Sequence, residues 1–388
     1  MDRKHRVAVA LELETPVPHH QGVYTGIQQY AAEHPGWECI VDEHPGLAPR
    51  GQGPKYGGVI ARASPEMAKR LKRQRIPLVN VWYQHNDKSV PGVFPDPARL
   101  GEMAADHLME RGFRRMSCLV NPKRKYIDAI GRAFAARAKE EGALCLLRDF
   151  PSGSYKDPAY WLKFKAALND WLDQLDLPVG LLFEVPHDVR IVESLCRERG
   201  WRVPQDVAMM SITNTKAVVE SPTPQISSFD QNLERVGYEA AALLDRLMAG
   251  EQMPDRPLLL PPKSVIARES TDYFAVEDEV VAEALRFIAS HLSDPLTVDW
   301  IAREIPVSPR SLQLKFDAAL NRSVSEEVRR LRLEATKRLL AEPDKQIGEI
   351  AQMTGFATPS HMSRAFSKQM GLTPSAYRKL VLGNKQTD

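Results

Sequence analysis

Near its carboxyl end the chain contains two copies of one pattern, in residues 301 to 320 and in residues 350 to 370. Each copy opens with Ile-Ala, and Ser308-Pro309 of the first copy recurs as Thr358-Pro359 in the second. Apolar residues then follow at a spacing of four: Leu312, Phe316 and Leu320 in the first copy, and Met362, Phe366 and Met370 in the second. Because residues four apart share one helix face, each copy predicts an amphipathic helix with one buried stripe. The repeat therefore restricts this region to two similar helical units in tandem.

The residue before each proline predicts where these helices begin. Ser308 and Thr358 are candidate N-caps, since their hydroxyl groups can accept an unpaired backbone N–H, and the proline after each stands where a missing N–H costs nothing. Short helices are predicted before them, over residues 297 to 304 and 346 to 353, with Gly355 in the tight turn of the second copy. Two helices joined in this way can present the second helix to a DNA major groove. Either copy alone could be a packing unit of a helical bundle, but the repetition favours DNA contact.

The face opposite each buried stripe is polar. Its side chains can donate hydrogen bonds to base edges or phosphates, and they are Arg310, Ser311, Gln313 and Lys315 in the first copy and Ser360, His361, Ser363, Arg364 and Lys368 in the second. The charge distribution agrees with this reading. Residues 301 to 388 contain 15 Lys and Arg against 9 Asp and Glu, whereas the net charge of the whole chain is only +2.

Residues 329 to 379 resemble the signature of the AraC/XylS family of bacterial transcription regulators. The resemblance rests on a basic helix ending at Leu340, on Ile350-Ala351 with Gly355-Phe356, and on the closing Gly371-Leu372-Thr373-Pro374 followed by Tyr377-Arg378. It extends from about residue 277 onward. It implies seven helices, with two recognition helices joined by one long helix and inserted into adjacent major-groove segments on one face of the DNA.

The resemblance also implies roles for individual residues. By motif position, Arg310 and Gln313 would read bases in the first unit, as would Ser360, His361 and Arg364 in the second. Two positions depart from the family pattern. Leu314 stands where some members carry a contacting arginine, which leaves a methyl contact or none, and Pro306 replaces the more usual turn glycine.

The linker helix is strongly basic. Its cations are candidates for phosphate contacts, which would make DNA affinity fall steeply with salt, and they are Arg329, Arg330, Arg332, Lys337 and Arg338. For each of these cations the alternative to a phosphate contact is a side chain that lies on a solvated helix face and contacts no partner.

Residues 6 to 268 alternate short apolar runs with longer amphipathic stretches. Eight strands are expected, over residues 7–11, 38–41, 57–60, 78–81, 116–120, 144–147, 180–183 and 207–211. Helices are predicted over residues 100–111, 126–141, 189–199 and 234–249, each closing at or near a glycine. This alternation predicts parallel, doubly wound sheets, and the length suits two lobes. The segment Gly51 to Gly58 precedes a strand rather than following one, so it fails as a dinucleotide-binding fingerprint.

Three segments in this region resemble the ligand domain of the LacI/GalR family, which is itself similar to periplasmic sugar-binding proteins. They are residues 104–115, residues 197–207 and residues 227–241. The expected fold is therefore an α/β, two-lobed periplasmic-binding-protein-like domain over residues 1–270, a linker over 271–280, and an all-α DNA-binding domain with two helix-turn-helix units over 281–388. Such a ligand domain would close on a small molecule and shift the DNA-binding units between arrangements.

The sugar-contacting positions of these relatives are not preserved. Val185 and Pro186 stand where relatives have an Asn-Asp or similar pair, Thr213 replaces the first residue of another polar pair, and the arginine expected to clamp hydroxyl groups falls at Ile130. A polyol needs charged or amide groups around its hydroxyls, because each polar atom taken from water requires a hydrogen bond. The sequence thus predicts that the ligand is not an ordinary pentose bound in the usual way.

The remaining candidates for ligand contact lie after predicted strand ends. Asn214 and Asp96 match family contact positions best, although Asp96 could equally cap the helix that begins at Pro97. Trp82 and Tyr83 are further candidates, since an aromatic ring after a strand can stack on a ligand ring, although it can also simply cover a sheet edge. Arg124 and His187 are the remaining candidates. Further polar groups in the same loops are His19, His20, His85 and Asn86. The histidines lack the carboxylate or cysteine neighbours of a metal site, so neither a metal nor a cofactor is expected.

These features predict a cytoplasmic, ligand-responsive transcription regulator that controls a carbohydrate-related operon and binds promoter or operator DNA as a homodimer, with RNA polymerase as a possible partner. The four cysteines are widely spaced, as is usual for reduced thiols, and neither a membrane span nor a signal peptide is indicated. One alternative is a regulator whose ligand domain serves only as a dimerisation or protein-interaction scaffold. An enzyme on a doubly wound fold is the other, but no paired acid and base, nucleophile elbow or phosphate loop supports it.

Overall fold

The computed structural model describes residues 5–14, 18–47, 55–85, 89–150, 153–221, 224–272, 276, 278–340, 342 and 345–382. Asn86 and residues 51–54 of the predicted glycine-rich loop lie outside these ranges. The strands are β1 His5–Ala10, β2 Trp37–Val41, β3 Gly58–Ala61, β4 Leu78–Asn80, β5 Val93–Pro95, β6 Arg115–Val120, β7 Leu144–Asp149, β8 Val179–Phe183, β9 Val207–Ser211, β10 Ser227–Asp230, β11 Leu258–Leu260 and β12 Ser264–Ile266. No helix in these ranges is both long and apolar enough to span a membrane.

The helices alternate with the strands and then continue alone. They are α1 Pro18–Glu33, α2 Pro65–Gln74, α3 Pro97–Glu110, α4 Lys125–Glu140, α5 Pro158–Leu172, α6 Pro186–Glu198, α7 Lys216–Val219, α8 Leu233–Met248, α9 Glu279–Ser290, α10 Val298–Glu304, α11 Pro309–Leu320, α12 Val324–Leu340, α13 Ile347–Met353, α14 Pro359–Met370 and α15 Pro374–Leu382. The predicted α/β region followed by an all-α region with two helix-turn-helix units is therefore confirmed.

The chain divides into two compact units. The first contains residues up to 97, residues 122–128 and residues 231–262, and the second contains the remainder. In the first unit a parallel sheet has the order β2-β1-β3-β4, and a separate parallel pair joins β11 to β5. Helices α1 and α8 approach each other very closely. A Cβ atom at Gly26 would lie 1.8 Å from the backbone oxygen of Glu234, so only glycine permits this approach.

The second unit contains a six-stranded sheet of order β12-β10-β9-β8-β6-β7. All its neighbours are parallel except β12, which runs antiparallel to β10. Beneath it Trp171 is fully buried and donates its indole N–H to Ser117 Oγ at 3.0 Å. Each of the eight predicted strands is present, and the structure adds β5, β10, β11 and β12, which are three or four residues long.

The all-α region of the second unit has two apolar cores, one for each helix-turn-helix copy. The first is formed by α9 to α12 around Ile301, Leu312 and Phe316, and the second by α12 to α15 around Ile350, Met362 and Phe366. Helix α12 contributes to both cores and is longer at its N-terminal end than the basic stretch that the sequence indicated. The seven helices implied by the family resemblance are all present in the described residues.

Candidate DNA interface and effector-binding residues

The first helix-turn-helix unit consists of α10 and α11. Ser308 caps α11 as predicted, with its Oγ accepting from Ser311 N at 3.1 Å. The turn also accommodates Pro306. The turn is closed by a hydrogen bond from Val307 N to Ala302 O at 3.1 Å. Pro306 does not need the positive φ that glycine would allow, because its own φ is not positive. The substitution of the usual glycine therefore leaves the turn formed.

The outer face of α11 contains residues with different freedom to reach DNA. Arg310 is exposed at the start of the helix, and Leu314 is 61% exposed beside it. Gln313 donates to Asp317 Oδ1 at 3.1 Å along the helix, and Lys315 forms an ion pair with Asp278, the N-cap of α9. The side chains available to DNA on this face are thus those of Arg310, Leu314 and the half-buried Ser311. Gln313 could contact DNA if it gave up its hydrogen bond to Asp317.

The second unit, α13 and α14, repeats this geometry. Thr358 Oγ1 accepts from His361 N at 3.1 Å, which caps α14 as predicted. Phe356 N donates to Ala351 O at 2.9 Å, the same bond that closes the first turn, while Gly355 has φ +72°. On the outer face Ser360, His361, Arg364 and Lys368 are all exposed, and within the described part of the chain neither Arg364 nor Lys368 forms an ion pair.

Helix α12 does not present its basic residues as one exposed face. Arg329 and Arg338 are exposed, but Arg332 donates to Leu292 O at 3.1 Å and to Asp294 O at 2.6 Å, tying α12 to the loop before α10. Arg330 is 12% exposed and pairs with Glu327. The basic helix is therefore in part a structural element.

Lys337, a predicted phosphate contact, already has a charged partner within α12. Its ammonium group lies 2.5 Å from Glu334, its side chain is 21% exposed, and the charges of Glu334 and Glu110 raise its pKa although burial opposes this. Glu110 lies at the end of α3, so this part of α12 faces the α/β part of the second unit. A lysine paired in this way is less available to a phosphate than the exposed Arg329 and Arg338, and its role as a phosphate contact stays a prediction.

Within the first unit, aromatic residues predicted to contact ligand gather after β4 and β5. The Tyr83 ring lies 5.5 Å from those of Tyr126 and Phe94, and burial, together with the charge of Asp96, raises the pKa of Tyr83. Tyr126 donates its hydroxyl to Gln231 Oε1 at 3.0 Å. Asp96, Tyr83 and Tyr126 therefore form one polar and aromatic group.

Trp82 belongs to a neighbouring group, which a buried amide organises. Asn80 is 1% exposed, accepts from the backbone N–H groups of Ala63 and Trp82, and donates to the carbonyl oxygens of Trp82 and His85. The Arg62 guanidinium lies 4.3 Å from the centre of the Trp82 ring. One local signal points to this group, namely an asparagine at the end of an apolar strand.

Other predicted residues of the first unit lie at its margins. Arg124 is exposed immediately before α4. His19 contacts Val81 O at 3.3 Å, and burial lowers its pKa to about 4, so it is neutral near pH 7.

In the second unit, Asn214 is part of a hydrogen-bonded cluster. Its Oδ1 accepts from Ser228 Oγ at 2.9 Å and from Arg268 Nη2 at 3.1 Å. Arg268 is only 9% exposed and also donates to Ile226 O. The amide N–H groups of Asn214 therefore remain able to donate hydrogen bonds to a ligand.

His187 is placed differently, at the start of α6. It is 56% exposed, and its ring lies 5.0 Å from that of Tyr155. The Tyr155 hydroxyl donates to Asp188 Oδ1 at 2.7 Å. The structure therefore does not bring His187 into the Asn214 cluster through any described hydrogen bond.

Comparison with known proteins agrees with both halves of this arrangement. Residues 105–271 match the model of a periplasmic binding protein-like domain, and residues 301–380 match that of a helix-turn-helix domain. The chain is 28% identical over 310 residues to the xylose operon regulatory protein of Escherichia coli K12, covering 78% of each chain. It is 25% identical over 329 residues to the protein of that name from Haemophilus influenzae, covering 83% of this chain and 84% of the relative.

A solved structure is similar over almost the whole length. The structure of the xylose-binding transcription activator XylR matches with a TM-score of 0.60 and 26% identity, and the match covers 98% of this chain and 99% of that one. Because this match aligns nearly all of both chains, the two share the order of their α/β and helical regions. The chain therefore has the domain order of a XylR-like, AraC-type transcription regulator, in which a periplasmic-binding-protein-like domain precedes two helix-turn-helix units.

Proposed function

We propose that the chain controls a carbohydrate-related operon in response to a small polar ligand held by the periplasmic-binding-protein-like domain. The observation that supports this is the similarity to xylose operon regulators over both domains in the same order. A ligand that binds one arrangement of such a domain more tightly shifts the population toward that arrangement. Sequencing the genomic fragments that the purified protein retains tests the proposal, and retention of none would refute it.

The proposed base and phosphate contacts lie on α11 and α14. They are Arg310, Ser311 and Gln313 in the first unit and Ser360, His361, Arg364 and Lys368 in the second. Exposed donors on capped second helices support these roles. Lys337 is less available than these residues, because it pairs with Glu334.

The ligand is proposed to differ from an ordinary pentose bound in the manner of the relatives. Ile130 is fully buried, Pro186 opens α6, and the Thr213 hydroxyl donates to Glu184 O at 2.6 Å, so none of these positions offers a free side-chain hydrogen-bond donor to a sugar hydroxyl. Contacts are proposed instead from the strand-end residues already described, namely Trp82, Tyr83, Asp96, Arg124, His187 and Asn214. Calorimetric titration with D-xylose should show no tight saturable binding; such binding would refute this part of the proposal.

A thermal-shift panel of sugars, sugar acids, polyols and aromatic compounds separates ligand sensing from a scaffold role. Because a compound that binds only the folded state raises the unfolding temperature, at least one class should do so. No stabilisation by any compound would favour a domain that serves only for dimerisation or protein interaction.

The assembly and its setting are also part of the proposal. The chain is proposed to act as a cytoplasmic homodimer formed through the ligand domain, with domain limits at 1–270 and 281–388 and with RNA polymerase as a partner at the promoter. A dimer would place four helix-turn-helix units on two half-sites. Sedimentation equilibrium should give twice the chain mass, and a monomer at micromolar concentration would contradict the dimer.

A further inference from the structure

The C-terminal end of α3 meets α12 in a cluster of charged side chains. Arg330 Nη1 lies 3.2 Å from the Glu110 carboxylate, and Arg330 Nη2 donates to the backbone oxygen of Glu110 at 3.3 Å. The same guanidinium donates to Glu327, whose side chain is 1% exposed and also lies 3.2 Å from Arg322 Nε. Arg330 thus joins the α/β part of the second unit to the helix shared by both helix-turn-helix cores.

Two carboxyl groups occupy the centre of this contact. The charges of Glu334 of α12 and Glu110 act on each other, and Lys337 pairs with Glu334 at 2.5 Å. Burial, and then the charge of Glu110, raises the pKa of Glu334 to about 7. Burial would also raise the pKa of Glu110, but Arg330, Lys337 and Arg111 hold it below its usual value. The pKa values of the two carboxyl groups are therefore shifted in opposite directions, while Arg330 pairs with Glu110 and Lys337 with Glu334.

The elements that carry this contact begin where the chain enters the second unit. Helix α3 starts at Pro97, and the unit boundary falls between residues 97 and 98. Strand β12, which also packs on α12, starts at Ser264 just after the boundary between residues 262 and 263. A helix of 14 residues is a rigid rod about 20 Å long, so a rotation at its start displaces Glu110 at its end. A cavity of about 510 Å³ beside the cluster leaves room for such a displacement.

We propose that the contact of Glu110 with Arg330, Glu334 and Lys337 is the point at which the effector domain controls the position of both helix-turn-helix units. Helix α12 contributes Val328 to the first helical core and Leu333 to the second. A shift of α12 against α3 therefore changes both recognition helices together. The inference rests on the proposed function, because it requires that DNA binding and effector binding be coupled.

The test uses reciprocity, which avoids the need for an identified ligand. If the effector domain biases DNA binding, DNA must bias the effector domain by the same free energy. Hydrogen exchange of the full chain is measured with and without the promoter DNA beside its own gene. We expect DNA to change exchange in residues 207–221, and Glu110→Gln to reduce this change at least threefold. Glu102→Gln is the matched control, because Glu102 lies on the same helix and pairs with Arg99.

The outcomes separate the two proposals. If the unmodified protein does not bind any promoter fragment, the proposed function fails and this inference fails with it. If it binds DNA but exchange in residues 207–221 does not respond, or if Glu110→Gln responds as fully as Glu102→Gln, only the inference is overturned. Exchange in strands β6 and β8 reports folding, and it should be the same in all three proteins.

A pH series gives an independent reading of the same contact. The charged and titratable groups around Glu334 come from every element packed there. They are Arg99, Asp106, His107 and Glu110 of α3 with Arg111 just after it, Lys263 just before β12, Tyr377 of α15, and Arg330, Lys337 and Arg338 of α12 itself. A carboxyl group whose pKa is raised by the contact stabilises it fully below about pH 4.5, and this stabilisation is lost as the pH rises through about 7. Exchange of residues 324–340, corrected for intrinsic rates, should therefore increase between pH 6 and 8. Glu334→Gln, which imitates the protonated form, should abolish this dependence, and an unchanged pH profile would overturn the inference.

Discussion

The turn of the second helix-turn-helix unit allows a sharp test through Gly355. This residue has φ +72°, and a Cβ atom there would lie 2.0 Å from Leu292 O and 2.8 Å from Arg332 Nη2. Gly371 provides a matched control. It ends α14 with φ +69°, and a Cβ atom there would meet nothing within 4 Å. The two alanine variants therefore share the backbone cost and differ only in the clash.

The magnitudes follow from these distances. Left-handed backbone at a non-glycine residue costs about 1–2 kcal/mol, which is the whole expected effect of Gly371→Ala. In Gly355→Ala the Leu292 carbonyl must also move, which breaks the hydrogen bond that Arg332 Nε donates to it at 3.1 Å. Hydrogen bonds to charged groups are worth about 1.5–3 kcal/mol, so Gly355→Ala should cost about 3–5 kcal/mol in total.

Hydrogen exchange measures this cost locally, because the whole chain has more than one folding unit. Opening free energies for residues 346–370 should fall by about 3–5 kcal/mol in Gly355→Ala and by about 1–2 kcal/mol in Gly371→Ala. DNA affinity should fall more in the first variant, since α14 loses its fixed orientation. Equal losses in the two variants would refute the argument that contact with Leu292 and Arg332 makes glycine necessary at position 355.

Other predictions concern the recognition helices and α12. Arg364→Ala should cost about 1–3 kcal/mol of DNA binding and relax preference at one base position, which a selection from randomised operators measures; unchanged selectivity would remove it from the base-reading set. Lys368→Ala should reduce the slope of log affinity against log salt concentration by about one. Lys337→Ala should leave that slope unchanged, because the Lys337 ammonium group is paired with Glu334. The reverse result would support Lys337 as a phosphate contact. Thr358→Ala should destabilise the second unit by about 0.5–2 kcal/mol through loss of the bond to His361 N, and hydrogen exchange of α14 would show no change if the cap were unimportant.

Much of the fold follows from local pattern. The helix starts at Ser308 and Thr358 and eight of the strands are predictable from sequence, because caps, periodicity and apolar runs are properties of neighbouring residues. Strand β10 is not, since its Ser227 and Ser228 are polar and fully buried. They are satisfied by hydroxyl, carbonyl and amide partners far away in sequence, among them Arg268 O for Ser227. No local pattern reveals such partners.

The candidate sites divide in the same way. Two tandem helix-turn-helix units with polar outer faces are already implied by the amino-acid sequence, because amphipathic spacing and capping fix which side of a helix is buried. The contacts of the basic residues of α12 depend instead on how distant elements pack. Arg330 meets Glu110 across 220 residues of sequence, and Lys337 turns toward the same carboxylate pair. The charge of a side chain is local, but its partner is chosen by the packing of distant elements.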